Sequence, residues 1–144
     1  APESADLDCL IDISVNAHIP ESYVESLTLR LDVYRRIADI RNKEDSLDVK
    51  DELRDRFGEI PESVLGLIDI ALIRNCANAM GIYEIRQTET NVLLFVKEIK
   101  SPKVIELLSR LNGRAMLSAG NKPYITIRCG GGSSLEMLKK VFKI

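Results

Sequence analysis

The sequence predicts a single compact domain of the α+β class, in which an N-terminal strand and a helical half precede a ββαββα half. Three observations predict it. Residues 10–19 alternate between apolar and polar side chains, residues 26–80 carry apolar side chains at helical spacing, and residues 82–142 hold two pairs of short apolar runs, each followed by a helical pattern. A chain of 144 residues is long enough to bury such a core.

The first element is a strand predicted over residues 10–19. Its apolar positions alternate strictly with polar ones, which is typical of a strand with one buried face, and Pro20 ends it. Residues 1–9 are small and acidic and include Pro2, so they are interpreted as the end of a linker. The domain proper is therefore expected to span residues 10–144.

Three helices are predicted next, over residues 26–42, 46–57 and 61–80. A charged break at residues 43–45 separates the first two, and Ser46 is the expected N-cap of the second. Gly58 suits the left-handed position after that helix, and Pro61 suits the first turn of the third. The third helix ends at Gly81 and is apolar nearly all round, which predicts a central, buried helix.

The second half is predicted to contain two hairpins and two helices. The strands are expected at residues 82–88, 92–97, 114–118 and 124–128. One helix starts at Pro102 and ends near Leu111, and the last runs from Ser133 or Ser134 to Phe142 after the glycines at 130–132.

Composition argues against several classes of function. The 20 basic residues face 22 acidic ones, for a net charge of −2, whereas an autonomous DNA-binding domain usually has a basic excess. No apolar run of membrane-spanning length and no signal peptide are recognised, and three widely spaced cysteines are expected to be reduced thiols. These features predict a cytoplasmic protein.

A search for catalytic chemistry finds no constellation that supports an enzyme. His18 is the single histidine, no metal-ligand cluster is present, and no phosphate-binding motif occurs, so no cofactor or metal is expected. The glycine-rich run at residues 128–134 is the nearest approach to an anion site, although a flexible turn before a Ser-capped helix is the preferred interpretation. Lys139, Lys140 and Lys143 offer weak support for DNA contact.

A dense charge run at residues 48–56 has a second interpretation beside simple solubility. Val49, Leu53 and Phe57 are spaced by four and predict the buried stripe of a helix. Glu52, Asp55 and Arg56 then share the adjoining face, and Glu52 is placed to form an ion pair with Arg56. Mixed charges beside a core stripe suit specific docking, so these three residues are the candidate interface.

Two segments resemble a known family. The first contains Ala17, Ile19 and Pro20, then Tyr23 and Val24, then Arg30, Leu31, Tyr34 and Arg36 at helical spacing. The second contains Glu52, Leu53, Asp55, Arg56, Phe57 and Gly58, followed by Pro61. Together they resemble the C-terminal domain of the bacterial transcription-repair coupling factor, and the resemblance covers about residues 11–81. Residues 82–144 carry no motif that is assigned.

This resemblance implies a regulatory domain of a much longer protein. The implied parent is a double-stranded DNA translocase that uses ATP and magnesium, contacts stalled RNA polymerase and recruits the repair protein UvrA. The implied role of the domain is autoinhibitory: it packs on the UvrB-like N-terminal module of the same chain and masks the surface that binds UvrA. By motif, Glu52, Asp55 and Arg56 correspond to the family's polar contacts with that module. The open alternative is a free-standing domain that binds a small anion or another protein.

Overall fold

The computed structural model describes residues 9–129 and 133–144, and it confirms the predicted α+β class. The elements in chain order are β1 (Leu10–Asp12), α1 (Leu27–Ala38), α2 (Lys43–Phe57), α3 (Glu62–Met80), β2 (Ile82–Gln87), β3 (Asn91–Val96), α4 (Pro102–Leu111), β4 (Ala115–Ser118), β5 (Tyr124–Arg128) and α5 (Ser134–Val141). The strands form one sheet in the order β1-β2-β3-β5-β4. Among these described strands, only the β1–β2 pair is parallel.

The helix α3 lies between two hydrophobic clusters and belongs to both. Ile73 and Ala77 pack in the sheet core, defined by Ile85, Leu94, Ile125 and Leu138 with their neighbours. Val64 and Ile68 pack in the helical core, defined by Ile37, Ile40, Val49 and Leu53 with their neighbours. The nearly uniform apolar surface of α3 is therefore buried by two partners, as its sequence predicts.

The same helix corrects the expectation that no apolar segment reaches the length of a membrane span. Judged by length and composition alone, Glu62–Met80 is long and apolar enough to cross one. Its side chains instead pack on both sides within the domain, with Ile68 and Ile73 fully buried. This is the behaviour of a central core helix.

The first strand is much shorter than predicted. Regular pairing covers only Leu10–Asp12, because β2 ends at Gln87, two residues after Ile85, the partner of Ile11. The chain continues in extended form onto α3, where the backbone N–H of His18 donates to the Ser63 carbonyl at 3.2 Å. The predicted alternation of burial nevertheless persists: residues 13, 15 and 17 are half-buried, whereas residues 14, 16 and 18 are exposed. An apolar face therefore does not require a continuous ladder here.

The first two helices differ from prediction in their limits. Helix α1 ends at Ala38, and Val33 and Ile37 form its buried face, while Leu27 and Leu31 are exposed. Helix α2 begins at Lys43 rather than after Ser46, because Asn42 is its N-cap and accepts the Asp45 N–H at 2.8 Å. Acidic side chains at residues 44 and 45 suit the positive end of the helix dipole, so the expected charged break is the first turn.

Two glycines sustain the predicted helix ends. Gly81 closes α3 in the left-handed conformation, with φ 78° and ψ 20°. Gly58 follows α2 with φ 90° but ψ −159°, so it occupies a region open almost only to glycine rather than the left-handed helical region expected. Pro61 stands just before α3 instead of inside its first turn.

The second half follows the predicted order of two hairpins and two helices. Ser133 caps α5 by accepting the Glu136 N–H at 3.3 Å. Residues 130–132 of the glycine-rich run lie outside the described residues, as do residues 1–8. Cys9 does not belong to the predicted linker end: it is buried in the sheet core, and its backbone N–H donates to the Asn78 side-chain oxygen at 2.7 Å.

The position of α3 predicts that damage to the sheet core will weaken the helical half as well. Replacing the fully buried Ile73 with Ala is expected to cost about 2–5 kcal/mol of unfolding free energy. Amide hydrogen exchange in α2 is expected to accelerate together with exchange in β3. Faster exchange in β3 alone would contradict a shared core.

The contact between the extended segment and α3 gives a second prediction. A Cβ added at Gly66 would lie 3.5 Å from the Cβ of Ala17, an ordinary van der Waals distance. Gly66→Ala is therefore expected to raise the unfolding free energy by up to about 1 kcal/mol, since alanine favours a helix over glycine. Gly66→Leu is the control: its larger side chain must displace the segment, so urea denaturation should show a loss of stability. A destabilised alanine variant would contradict the packing described.

Candidate interdomain interface

Tyrosine and arginine side chains from the first family-like segment hold the helical half together. The Tyr23 hydroxyl shares its one proton between the carbonyls of Leu53 (3.2 Å) and Gly58 (3.0 Å), which fixes the end of α2. The Tyr34 hydroxyl accepts the Ile19 N–H at 2.9 Å. Arg30 donates to the Val24 carbonyl at 2.8 Å. These residues therefore serve the fold and position α1 against α2.

Glu52 is the centre of the charged face that this packing creates. One of its carboxylate oxygens accepts from Arg36 of α1, and the other accepts from Arg56 of α2 at 3.1 Å. The carboxylate therefore joins two helices through a fork of two guanidinium groups. Because the Glu52 side chain is 34% exposed, this is a surface network and not a buried one.

The two arginines stabilise the ionised form of Glu52. The hydrogen bond from Arg36 is the main cause that lowers the pKa of this carboxyl; burial opposes it, and the hydrogen bond from Arg56 and the charges of both arginines lower the pKa further. Glu52 is therefore ionised at every pH at which an ordinary glutamate is ionised. Its charge is paired with Arg36 and Arg56 within the domain.

Aromatic contacts restrain the second arginine of this fork. The Arg56 guanidinium lies 4.9 Å from the centre of the Phe57 ring, and Phe57 packs against Tyr23 with ring centres 5.7 Å apart. Burial raises the pKa of the Tyr23 hydroxyl, with Arg54 opposing the shift, so the phenol remains a hydrogen-bond donor. The face is held in one arrangement before any partner arrives.

Asp55 differs from its neighbours. It is exposed on α2, and it makes no ion pair or side-chain hydrogen bond with any of residues 9–129 and 133–144. Its charge contributes nothing to the internal network that holds Glu52 and Arg56. It is therefore the carboxylate of this face that is available to an external donor.

The predicted trio Glu52, Asp55 and Arg56 lies on one helix, and the predicted ion pair between Glu52 and Arg56 is confirmed. Sequence reasoning missed Arg36 as a member of the face, although it belongs to the family-like segment. Spacing within one helix reveals the first pair, whereas the contact of Arg36 depends on how α1 packs on α2. We define the α1–α2 charged face as Arg36, Glu52, Asp55 and Arg56.

The rest of the described chain adds no reactive cluster to this face. Within residues 9–129 and 133–144, no three His, Cys, Asp or Glu side chains gather as metal ligands. His18 is exposed on the extended segment, and burial raises the pKa of the Cys76 thiol, which keeps it protonated.

Comparison with known proteins identifies the family. A family model described as the TRCF domain matches residues 13–106. The transcription-repair-coupling factor of Bacillus subtilis (strain 168) is 30% identical over 137 residues, which cover 91% of this chain but 12% of that protein. The factor of Mycobacterium bovis (strain ATCC BAA-935 / AF2122/97) is 38% identical over 78 residues, or 54% of this chain and 6% of that protein. The chain thus spans a small fraction of these relatives.

A solved structure shows the same fold. It is described as the crystal structure of the C-terminal domain of transcription-repair coupling factor, and it superposes with a TM-score of 0.80 over 96% of this chain and 91% of its own, at 17% identity. The family match includes α1, α2 and α3 with the charged face between α1 and α2. The chain therefore belongs to the TRCF domain family of the transcription-repair coupling factors.

Proposed function

We propose that this domain is a non-catalytic, autoinhibitory module that docks on the UvrB-like N-terminal module of its parent protein and masks the surface that UvrA binds. The α1–α2 charged face is the docking surface. The observation that carries the proposal is the fixed fork of Arg36 and Arg56 around Glu52, with Asp55 left without a partner in the described chain. The side chains of such a face are oriented before a partner binds, and they present both positive and negative charges.

The chemistry of this face suits a contact that must open. Interfaces between domains of one chain are usually polar and of modest area, so they can separate when another partner competes. Exposed charge pairs add orientation and selectivity more than affinity. A tether raises the effective concentration of the two modules, so a weak contact is sufficient to keep them together.

In this proposal, DNA translocation and ATP hydrolysis belong to other parts of the parent protein and not to this domain. That parent is a translocase on double-stranded DNA, which hydrolyses ATP with magnesium and engages stalled RNA polymerase. The domain then restrains the parent and hides the UvrA surface until polymerase is bound. UvrA and this domain thus compete for the UvrB-like module. Both binding events are proposed to take place in the cytoplasm.

The first test removes the charged trio. We expect the variant carrying Glu52→Ala, Asp55→Ala and Arg56→Ala to bind the UvrB-like module at least about tenfold more weakly than the wild type, because the orienting charges are lost. Calorimetry at low salt measures both affinities. Low salt and high concentration are needed, since the separated modules lose the advantage of the tether.

The matched control removes two acidic side chains and one basic side chain outside the face: Glu89→Ala, Glu106→Ala and Lys122→Ala, all at exposed residues. Its affinity is expected to equal that of the wild type. Equal binding by all three proteins would place the docking surface elsewhere. Absence of binding by the folded wild type would remove the masking role itself.

Asp55 permits a cleaner single substitution. It has no internal partner in the described chain, so Asp55→Lys is expected to leave the unfolding free energy within about 0.5 kcal/mol of the wild type. Docking should weaken about three- to tenfold, because the sign of an interface charge is reversed. Paired urea denaturation and calorimetry measure the two effects. Unchanged docking would exclude Asp55 from the interface even if the trio variant fails to bind.

A further inference from the structure

A groove lies on the opposite side of α2 from Glu52. It is bounded by the N-terminal half of α2, by α3 and by the end of α5, and its volume is about 390 Å³. Its floor is apolar: Leu72 and Phe142 are nearly buried there, and the half-buried Cys76 also lines it. Leu47 also lines the groove, with 50% of its surface exposed.

The rim of this groove is positively charged. Arg41, Lys43, Lys50 and Lys143 line it, and their side chains form no ion pair with any residue in the part of the chain that the structure describes. Asp69 is the acidic residue among those that line it, and Lys139 already neutralises its carboxylate at 3.2 Å. A domain with a net charge of −2 thus collects unbalanced cations around one apolar groove.

The helix α2 creates this separation by its periodicity. Lys43, Leu47 and Lys50 are spaced by four and three, so they share the face that borders the groove. Glu52 lies on the other side of the helix, where it contacts Arg36 of α1. One helix therefore carries two surfaces of different chemistry, and a partner on one of them leaves the other open.

A second groove continues the same pattern around α5. It shares Lys143 with the first and has a volume of about 310 Å³. Arg110, Arg114 and Lys140 line it together with the apolar side chains of Leu111 and Met137, and no acidic residue is among those lining it. The combination of cations and apolar surface therefore extends across two adjoining grooves.

We propose that the groove between α2, α3 and α5 binds a peptide segment of a partner protein in which apolar side chains are flanked by Asp or Glu. The apolar side chain covers Leu47 and the floor, and the carboxylates meet Lys43, Lys50 and Lys143. Charge complementarity selects an anionic occupant, and the apolar floor selects one that also has hydrophobic side chains.

The same observations argue against nucleic acid as the occupant. Binding to a duplex depends on many phosphate contacts, and the domain as a whole is acidic. Single-stranded nucleic acid is bound by exposed aromatic rings, whereas Phe142, the ring in this groove, is 7% exposed and cannot stack on a base. An exposed leucine among lysines serves a peptide better than a phosphate backbone.

The test is a selection of random peptides displayed on phage against the 144-residue chain, with the variant Lys43→Glu, Lys50→Glu and Lys143→Glu as counter-selection. We expect the selected peptides to combine Asp or Glu with Leu, Ile, Phe or Met. In fluorescence anisotropy, the strongest of them should bind the variant at least about tenfold more weakly than the wild type. Leu47→Ser should weaken binding about threefold or more, since it removes apolar contact without touching charge.

The matched control is Lys97→Glu, Lys100→Glu and Lys122→Glu, which reverses as many exposed lysines away from the groove. It should bind the selected peptide within about twofold of the wild type, and circular dichroism should show that all variants are folded. Peptides without acidic residues, equal binding to both charge-reversed proteins, or no selected peptide at all would overturn the proposal. Tight binding of a duplex DNA probe that ignores Leu47→Ser would assign the groove to nucleic acid and overturn it too.

Discussion

The burial of α3 on two sides is the constraint on which the rest of the structure depends. A helix of 19 residues with little polar surface must be covered almost all round, and no single layer can do that. The sheet with α5 covers one side, and α1 with α2 covers the other. Two small cores therefore behave as one domain. The α1–α2 charged face and the groove between α2, α3 and α5 both include residues of α2, and α2 packs with α1 and α3 in the helical core.

The sequence predicts the limits of an element well where nearby residues set them. It predicts them less well where a partner strand or a competing cap sets them. The limits of α4, β4 and β5 follow from short apolar runs bounded by Gly and Pro. The strand at residues 10–19 is wrong beyond Asp12, because alternation reports one buried face and not the length of the partner strand. The start of α2 is wrong for a different reason: Asn42 competes with Ser46 as a cap, and acidic residues after it stabilise the earlier start.

The candidate interface shows the same difference between contacts within one helix and contacts between elements. Glu52 and Arg56 are four residues apart on one helix, so their ion pair is readable from spacing alone. Arg36 is sixteen residues from Glu52, and only the crossing of α1 over α2 brings the two together. The groove between α2, α3 and α5 joins residues still more distant in sequence, since residues 41–50 and residue 143 both line it. Long-range surfaces of this kind carry no periodic signal.

The energy that the proposed docking requires suits a switch. Holding a two-state equilibrium at 99 to 1 in favour of the closed form requires about 2.7 kcal/mol. Exposed charge pairs contribute about 0.2–1 kcal/mol each, so the proposed docking would need about three or more favourable pairs to reach that value. A buried apolar interface of equal area would hold more tightly and would open less readily. Because Glu52 already keeps Arg36 and Arg56 in position, the proposed docking would cost little side-chain entropy. In the proposed docking, a contact that is weak per pair but fixed in geometry would therefore be specific when closed and easily released when a competing partner arrives.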